Sequence, residues 1–154
     1  MGLDSILALC IEKWRREGLT LLPPAEQTEV RRTWDGFGKQ PAKDIILLYT
    51  TVGGFANHAM DDVFFWTLWR WDELRDENAE YQREGVMFCD HSIQVVNWEV
   101  RFEDDLRSSV WNVGCFGRDR PIMTAPSLQV FFEIYLEDPW LLINAWGPYG
   151  GEMR

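Results

Sequence analysis

Apolar side chains in the first 55 residues recur at intervals of three and four, the spacing of amphipathic helices. The pattern predicts one helix over residues 4–17, a second around residues 30–37 and a third from Pro41 to Val52. Pro41 opens the third helix, because a proline at the first helical position removes a backbone N–H that has no helical partner. The pair Gly53-Gly54 is expected to end it through a left-handed residue.

Beyond residue 60 the sequence changes to the alternation, aromatic content and β-branching typical of strands. The predicted strands are Val63–Trp69, Gly85–Asp90, Ile93–Phe102, Val110–Val113 and a short one at Pro121–Met123. Between the first two strands, Trp71–Asn78 is expected to form a short acidic helix or a turn. In the third strand, Gln94, Trp98 and the other even-numbered positions are the more apolar set, so they are expected to face the core.

The last predicted helix, Ser127–Glu137, begins at a good N-cap residue and carries an apolar stripe. Asp138-Pro139 ends it, and a tail from Trp140 to Arg154 is apolar and then glycine-rich. A chain of 154 residues fits one domain. Helices, then strands, then a helix indicate a single α+β domain with a mainly antiparallel sheet flanked by helices.

The chain carries a formal charge of −10, and the excess is concentrated in the middle third. Residues 61–105 hold thirteen acids against four arginines. This balance argues against a nucleic-acid partner, which would need a basic patch, and against an anionic membrane surface. Two interpretations stay open: a solvated surface that keeps the protein in solution, or an acidic face that attracts a basic partner.

Several patterns bear on where the protein works. The longest apolar run is shorter than the eighteen or more residues of a membrane span. The N-terminus has neither the basic start nor the cleavage site of a signal peptide. The three cysteines, Cys10, Cys89 and Cys115, are odd in number and widely spaced, which favours a reducing compartment over a disulfide framework. We therefore expect a cytoplasmic protein.

The residues do not assemble a recognisable catalytic motif. Cys89-Asp90-His91 is the most site-like tripeptide, but a metal or nucleophile site needs further ligands at workable spacing, and His58 is the other histidine. We expect Cys89 to lie in the core and His91 in a turn. Paired carboxylates such as Asp61-Asp62 are expected on the surface. The sequence therefore predicts no enzyme activity, no metal and no cofactor.

A dense group of indole rings alternates with the acids of the middle third. These tryptophans either pack in the core or form an exposed binding edge, where aromatic residues serve as anchors. On the second interpretation, a protein partner contacts a surface made of both residue types. Its candidate residues are Asp61, Asp62, Trp66, Trp69, Trp71, Asp72, Glu73, Asp76, Glu77, Asp104 and Asp105.

Four segments over roughly residues 25–138 resemble, in order and spacing, the signature of the SUKH superfamily. The first is Gly38–Phe55, in which Pro41, Asp44, Leu48, Tyr49, Gly53 and Gly54 match the pattern. The others are Phe64–Leu74, the strand Gly85–Asp90 and the closing helix Ala125–Leu136. Many members have a glycine-rich segment after the central aspartate, whereas here Asp90 is followed by His91-Ser92-Ile93.

The resemblance implies a fold, and it implies roles that need no catalysis. SUKH domains are α+β domains with an antiparallel sheet flanked by helices. Most known members are bacterial immunity proteins that neutralise a cognate toxin, and fungal relatives regulate cell-wall synthesis through protein contacts. The first expectation is therefore an immunity protein that binds a toxin domain with a basic face. The alternative is a regulatory or scaffold module that binds a housekeeping protein.

Overall fold

The computed structural model describes residues 1–57, 60–80 and 83–143. Its helices are α1 (Leu3–Arg16), α2 (Gln27–Gly36), α3 (Lys43–Thr51), α4 (Leu74–Glu77), α5 (Leu128–Glu137) and α6 (Trp140–Ile143). Its strands are β1 (Trp66–Leu68), β2 (Val86–His91), β3 (Val96–Phe102), β4 (Ser108–Gly114) and β5 (Ile122–Ala125). Single turns of 3₁₀ helix occur at Trp71–Glu73 and Cys115–Gly117. Most of the predicted C-terminal tail, residues 144–154, lies outside the described residues.

The strands form one antiparallel sheet in the order β1-β2-β3-β4-β5, so each pairs with its neighbour along the chain. The register places Trp66 opposite His91, and Trp98 opposite both Cys89 and Asn112. This confirms the predicted α+β class with an antiparallel sheet. Helix α5 packs on the sheet and against α1 and α3.

Aromatic rings fill the space between the sheet and the helices. Phe131 of α5 lies 5.9 Å from Trp98 of β3 and 5.8 Å from Phe88 of β2, measured between ring centroids. Trp14 of α1 stacks on Trp66 of β1 at 5.8 Å. All of these side chains are at most 1% exposed. The sheet, α1 and α5 therefore share one aromatic core.

Helix α5 begins as predicted, whereas both ends of α3 differ from prediction. Ser127 caps α5, where its hydroxyl accepts a hydrogen bond from the Val130 amide at 3.1 Å. Helix α3 starts at Lys43 rather than Pro41, with Ala42 as its N-cap, and it ends at an extended Val52 without a left-handed cap.

The glycine pair after α3 serves close packing, which corrects the predicted cap. A Cβ atom at Gly53 would lie 2.3 Å from the Pro23 carbonyl oxygen. One at Gly54 would lie 2.4 Å from the Arg70 Cα, and Gly54 also has φ +110°. The segments around Pro23 and Arg70 can therefore approach only a residue without a side chain.

Two predicted strands are shorter than expected. Strand β1 begins at Trp66, because Val63 to Phe65 form a turn, and β3 begins at Val96, because Ile93 lies in the β2–β3 turn. Trp98 and Val100 face the core as predicted. The prediction was wrong for Phe102, which is 41% exposed, and for Asn97 and Glu99, which are completely buried on the other face.

None of the helices in the described parts of the chain has the length and apolar character needed to cross a membrane.

The core predicts the effect of shortening a side chain in α3. Leu48 is completely buried, so Leu48→Ala should lower the free energy of unfolding by about 2–5 kcal/mol. Leu9, on α1, is 43% exposed, so Leu9→Ala is the matched control and should change it by less than about 0.5 kcal/mol. Urea denaturation measures both variants. Equal stabilities of the two would place Leu48 outside the core.

Candidate protein-binding surface

The structure divides the predicted tryptophan cluster between core and surface. Trp66 is 1% exposed and Trp69 is 7% exposed, so the core interpretation is correct for both. The Trp69 indole N–H donates to the Asp90 carboxylate at 2.5 Å, which fixes its ring. Trp71 is half-buried in the 3₁₀ turn before α4. An exposed binding edge of three tryptophans, as the second interpretation had it, is therefore wrong.

Asp62 was expected on the surface, but its carboxylate is buried in a polar network. One oxygen accepts the backbone amides of Phe64 and Trp66 at 2.8 and 2.9 Å. The other accepts the Tyr135 hydroxyl and lies 3.4 Å from the Lys13 ammonium group. A buried carboxylate is stable only with such partners, so Asp62 joins the segment before β1 to α1 and α5.

The Tyr135 hydroxyl is the centre of this network. It accepts hydrogen bonds from the Trp14 indole at 2.7 Å and from the Lys13 ammonium group at 3.2 Å. Burial raises the pKa of Tyr135 well above its usual range, and the neighbouring Asp62 carboxylate raises it further. The hydroxyl therefore stays protonated and donates to Asp62, which is a structural role.

Glu99 is also completely buried, and it forms ion pairs with two arginines. It lies between two guanidinium groups: the Arg83 Nε and the Arg101 Nε each lie 2.6 Å from one of its carboxylate oxygens. The arginines come from the segment before β2 and from β3, so Glu99 fastens that segment to the sheet.

Asp44 has an equivalent role between a helix and the sheet. Its two oxygens accept the Ser108 amide at 2.8 Å and the Ser108 hydroxyl at 2.7 Å. Burial raises the pKa of Asp44, although the Ser108 bonds lower it in part. The N-terminus of α3 is thereby attached to the start of β4.

Apart from Asp61, the other candidate acids of the binding surface belong to two separate segments. The first, which we call the acidic segment, consists of Asp72, Glu73, Asp76 and Glu77 in the 3₁₀ turn and α4. The second is Asp104-Asp105 in the β3–β4 connection, where Asp104 caps the amides of Leu106 and Arg107. Asp61 is half-buried.

The members of the acidic segment differ in their contacts. Asp72 pairs with Arg70 through two hydrogen bonds of 2.7 and 2.9 Å, and these bonds lower the pKa of Asp72. Glu73 lies 3.7 Å from the same guanidinium group. Asp76 is exposed and makes no ion pair with a described residue. Its charge is therefore the one least used by the fold.

The sequence did not predict a patch of exposed apolar side chains at one end of the sheet. Val63 and Phe65 precede β1, Ile93 and Val95 lie in the β2–β3 turn, Phe116 lies in the 3₁₀ turn after β4, and Trp140 begins α6. They range from 45% exposed for Phe116 to 73% for Val63. We call these six residues the apolar end. Exposed apolar patches mark interaction sites more often than isolated apolar residues do.

Direct contacts connect the segments of the apolar end. The Ser92 amide donates to the Phe65 carbonyl at 2.9 Å, and the Phe116 amide donates to the Gln94 carbonyl at 3.0 Å. The rings of Phe64 and Trp140 meet edge to face at 4.3 Å. The exposed side chains therefore belong to one locally connected surface.

The backbone of the apolar end is strained. Ser92, Ile93 and Gln94 have φ angles of +54°, +53° and +64°, and Phe65 and Phe116 have +65° and +52°. All the positive φ angles of non-glycine residues in the described chain therefore occur here. Each costs about 1–2 kcal/mol for a residue with a side chain. Such strain concentrates at functional sites.

Neighbouring side chains hold the strained turn. The Asp90 carboxylate accepts the Gln94 amide at 3.1 Å, and the Asn97 amide group donates to the Gln94 carbonyl at 2.9 Å. Sequence reasoning missed this turn because Ile93 and Val95 are strand-forming residues, without the glycine or asparagine that signals left-handed backbone. It did place Ile93 and Val95 on the outer face, and both are exposed.

The Cys89-Asp90-His91 tripeptide is part of the packed sheet. Cys89 is completely buried, as predicted, and burial raises the pKa of its thiol well above the usual range. His91 was expected in a turn, but it is the last residue of β2 and is 8% exposed. Its ring packs against Phe64 at 5.2 Å and its Nδ1 lies 2.9 Å from the Ser92 hydroxyl. Both side chains are therefore buried in the packed sheet.

Within residues 1–57, 60–80 and 83–143, the structure holds no group of three or more histidine, cysteine or acidic side chains placed to hold a metal ion. His58 lies outside these ranges, so the predicted absence of a metal site remains a prediction.

The comparisons with known proteins do not assign a family. No protein-family model matches the chain, and no curated protein matches it either. The resemblance to the SUKH superfamily therefore remains an expectation.

The buried network predicts that two tyrosine hydroxyls differ in importance. Tyr135→Phe removes three hydrogen bonds and leaves the buried Trp14 indole N–H without its acceptor, so it should lower the free energy of unfolding by about 1–3 kcal/mol. Tyr49→Phe is the matched control, because the Tyr49 hydroxyl donates to one group, the Trp69 carbonyl. Denaturant unfolding measures the stability of both variants. A smaller loss of unfolding free energy for Tyr135→Phe than for Tyr49→Phe would contradict the network.

Proposed function

We propose that this chain is a non-catalytic protein-binding domain, and that it acts as an immunity protein that binds and neutralises a toxin domain with a basic face. The observation that carries the proposal is the acidic segment, in which Asp72 and Asp76 are exposed and Glu73 and Glu77 are half-buried. The fold buries and pairs Asp44, Asp62, Asp90 and Glu99, but it leaves this segment at the surface.

The division of the acids supports binding rather than general solubility. Asp44, Asp62 and Glu99 each connect two parts of the chain through hydrogen bonds, so they are explained by folding. Asp76 is not explained in this way. A concentration of one sign of charge speeds the encounter with an oppositely charged surface and selects against partners of the same sign.

The surroundings of the two core cysteines agree with this function, whereas the third, Cys115, is exposed. Cys10 and Cys89 are completely buried, and burial raises the pKa of the Cys10 thiol to about 12. Thiols in such surroundings stay protonated and are poor nucleophiles. The buried thiols and carboxylates of the described core therefore serve packing and hydrogen bonding. We place the function on the exposed surface.

Reversal of one charge tests the acidic segment. Asp76→Lys should slow association with the partner by about threefold or more at low salt and by much less at high salt, because exposed charges are screened. Asp76 is preferred to Asp72, because Asp72 holds Arg70, which also donates to the Ala56 carbonyl. The association rate is measured by surface plasmon resonance, with the partner protein that the chain captures from native cells.

The control is Glu133→Lys, which makes the same charge change at an exposed position of α5. Equal association rates for the two variants at low salt would remove the acidic segment from the interface. Identification of the captured protein as a toxin domain supports the immunity role, and a cell-wall or other housekeeping protein would contradict it.

A further inference from the structure

We infer that the apolar end is the anchor of the protein interface, and that its occupant is a protein surface with an apolar centre surrounded by lysine and arginine. This inference rests on the proposed protein-binding function and names the surface that performs it. The acidic segment then steers the partner, while the apolar end supplies the contacts that exclude water and hold it.

The composition of the apolar end suits an anchor. Phe65 and Trp140 are 58% and 64% exposed, and the neighbouring Val63 and Ile93 exceed 70%. Aromatic residues at the centre of an interface contribute most of its binding energy, because they bury a large area with few rotatable bonds. Exposing them to water without a partner has no benefit for folding.

Charge complementarity identifies the occupant. Ile93 and Gln94 of the strained turn line the same depression as Arg70, Glu73 and Glu77, so the apolar end directly adjoins the acidic segment. A partner that covers the apolar side chains therefore also meets the acidic segment at the rim, where the exposed carboxylate of Asp76 favours basic side chains. A second copy of this chain would bring its own acidic segment to that rim and a further charge of −10.

The strained turn gives independent support. Ile93 has φ +53°, a conformation that costs a β-branched residue more than glycine or asparagine. Asparagine at this position would favour folding, but it would present no apolar side chain. The chain has an exposed isoleucine at this strained position, which is consistent with a contact that Ile93 makes only to a partner.

Photo-crosslinking in native cells tests which surface is occupied. A benzoylphenylalanine probe is placed at Val95 in the apolar end, at Asp76 in the acidic segment, or at Leu106, which is 66% exposed in the β3–β4 connection. The inference predicts a covalent adduct with the same protein from Val95 and Asp76 but not from Leu106. It also predicts that the crosslinked segment of that protein is rich in lysine and arginine.

Each other outcome has a definite consequence. An adduct from Asp76 alone overturns the apolar end as anchor and leaves the proposed function standing. An adduct between two copies of the chain, an acidic crosslinked segment, or equal adducts from Leu106 also overturn the inference. If none of the three positions gives an adduct, both the inference and the proposed function are wrong.

A pair of asparagine variants then separates binding from folding. Ile93→Asn should raise the melting temperature by about 2–4 °C, because it relieves strain, and weaken binding of the purified crosslinked protein by about tenfold or more. Leu106→Asn removes a similarly exposed apolar side chain outside the apolar end and should change neither the melting temperature nor the affinity. Unchanged affinity for Ile93→Asn, or a lower melting temperature, would contradict the inference.

Discussion

The packing around Trp66 constrains both the sheet and the helices that cover it. Its ring contacts Trp14 of α1, Phe55, and Phe131 and Tyr135 of α5, with the Tyr135 ring centroid at 4.7 Å. Trp66 also begins β1 and pairs with His91. One side chain therefore connects the sheet with α1 and α5, and its backbone fixes where the sheet starts.

The same constraint explains part of the apolar end. Asp62 holds the Trp66 amide at 2.9 Å through its side chain, and the Asp62 amide donates back to the Trp66 carbonyl at 2.9 Å. The chain between them must turn tightly, which gives Phe65 its positive φ angle and leaves Val63 and Phe65 exposed. The buried network and the proposed binding surface are thus two sides of one turn.

Sequence periodicity predicted the helices and the sheet well, because burial of an apolar stripe dominates local preference. Leu48 and Phe131 face the core because their spacing requires it. Periodicity could not identify Asp62 or Glu99 as buried, because the partners that hold them include residues distant in the chain. Tyr135 is 73 residues from Asp62, and Arg83 is 16 residues from Glu99.

The candidate surface was only partly predictable for related reasons. The acids of the middle third are visible in the composition, but the sequence does not show which of them the fold uses. Ile93 and Val95 read as strand residues, and their placement in the β2–β3 turn depends on Asp90, Asn97 and Phe116. Tertiary contacts of this kind override local propensity.

The central claim is that one surface, the apolar end with the adjoining acidic segment, binds a protein. Amide hydrogen exchange of the chain, alone and with its captured partner, tests this most directly. If this surface binds the partner, amide exchange slows on binding in residues 71–77 and 92–95 and stays unchanged in residues 103–107. Slower exchange confined to residues 103–107, or to α1, would contradict it.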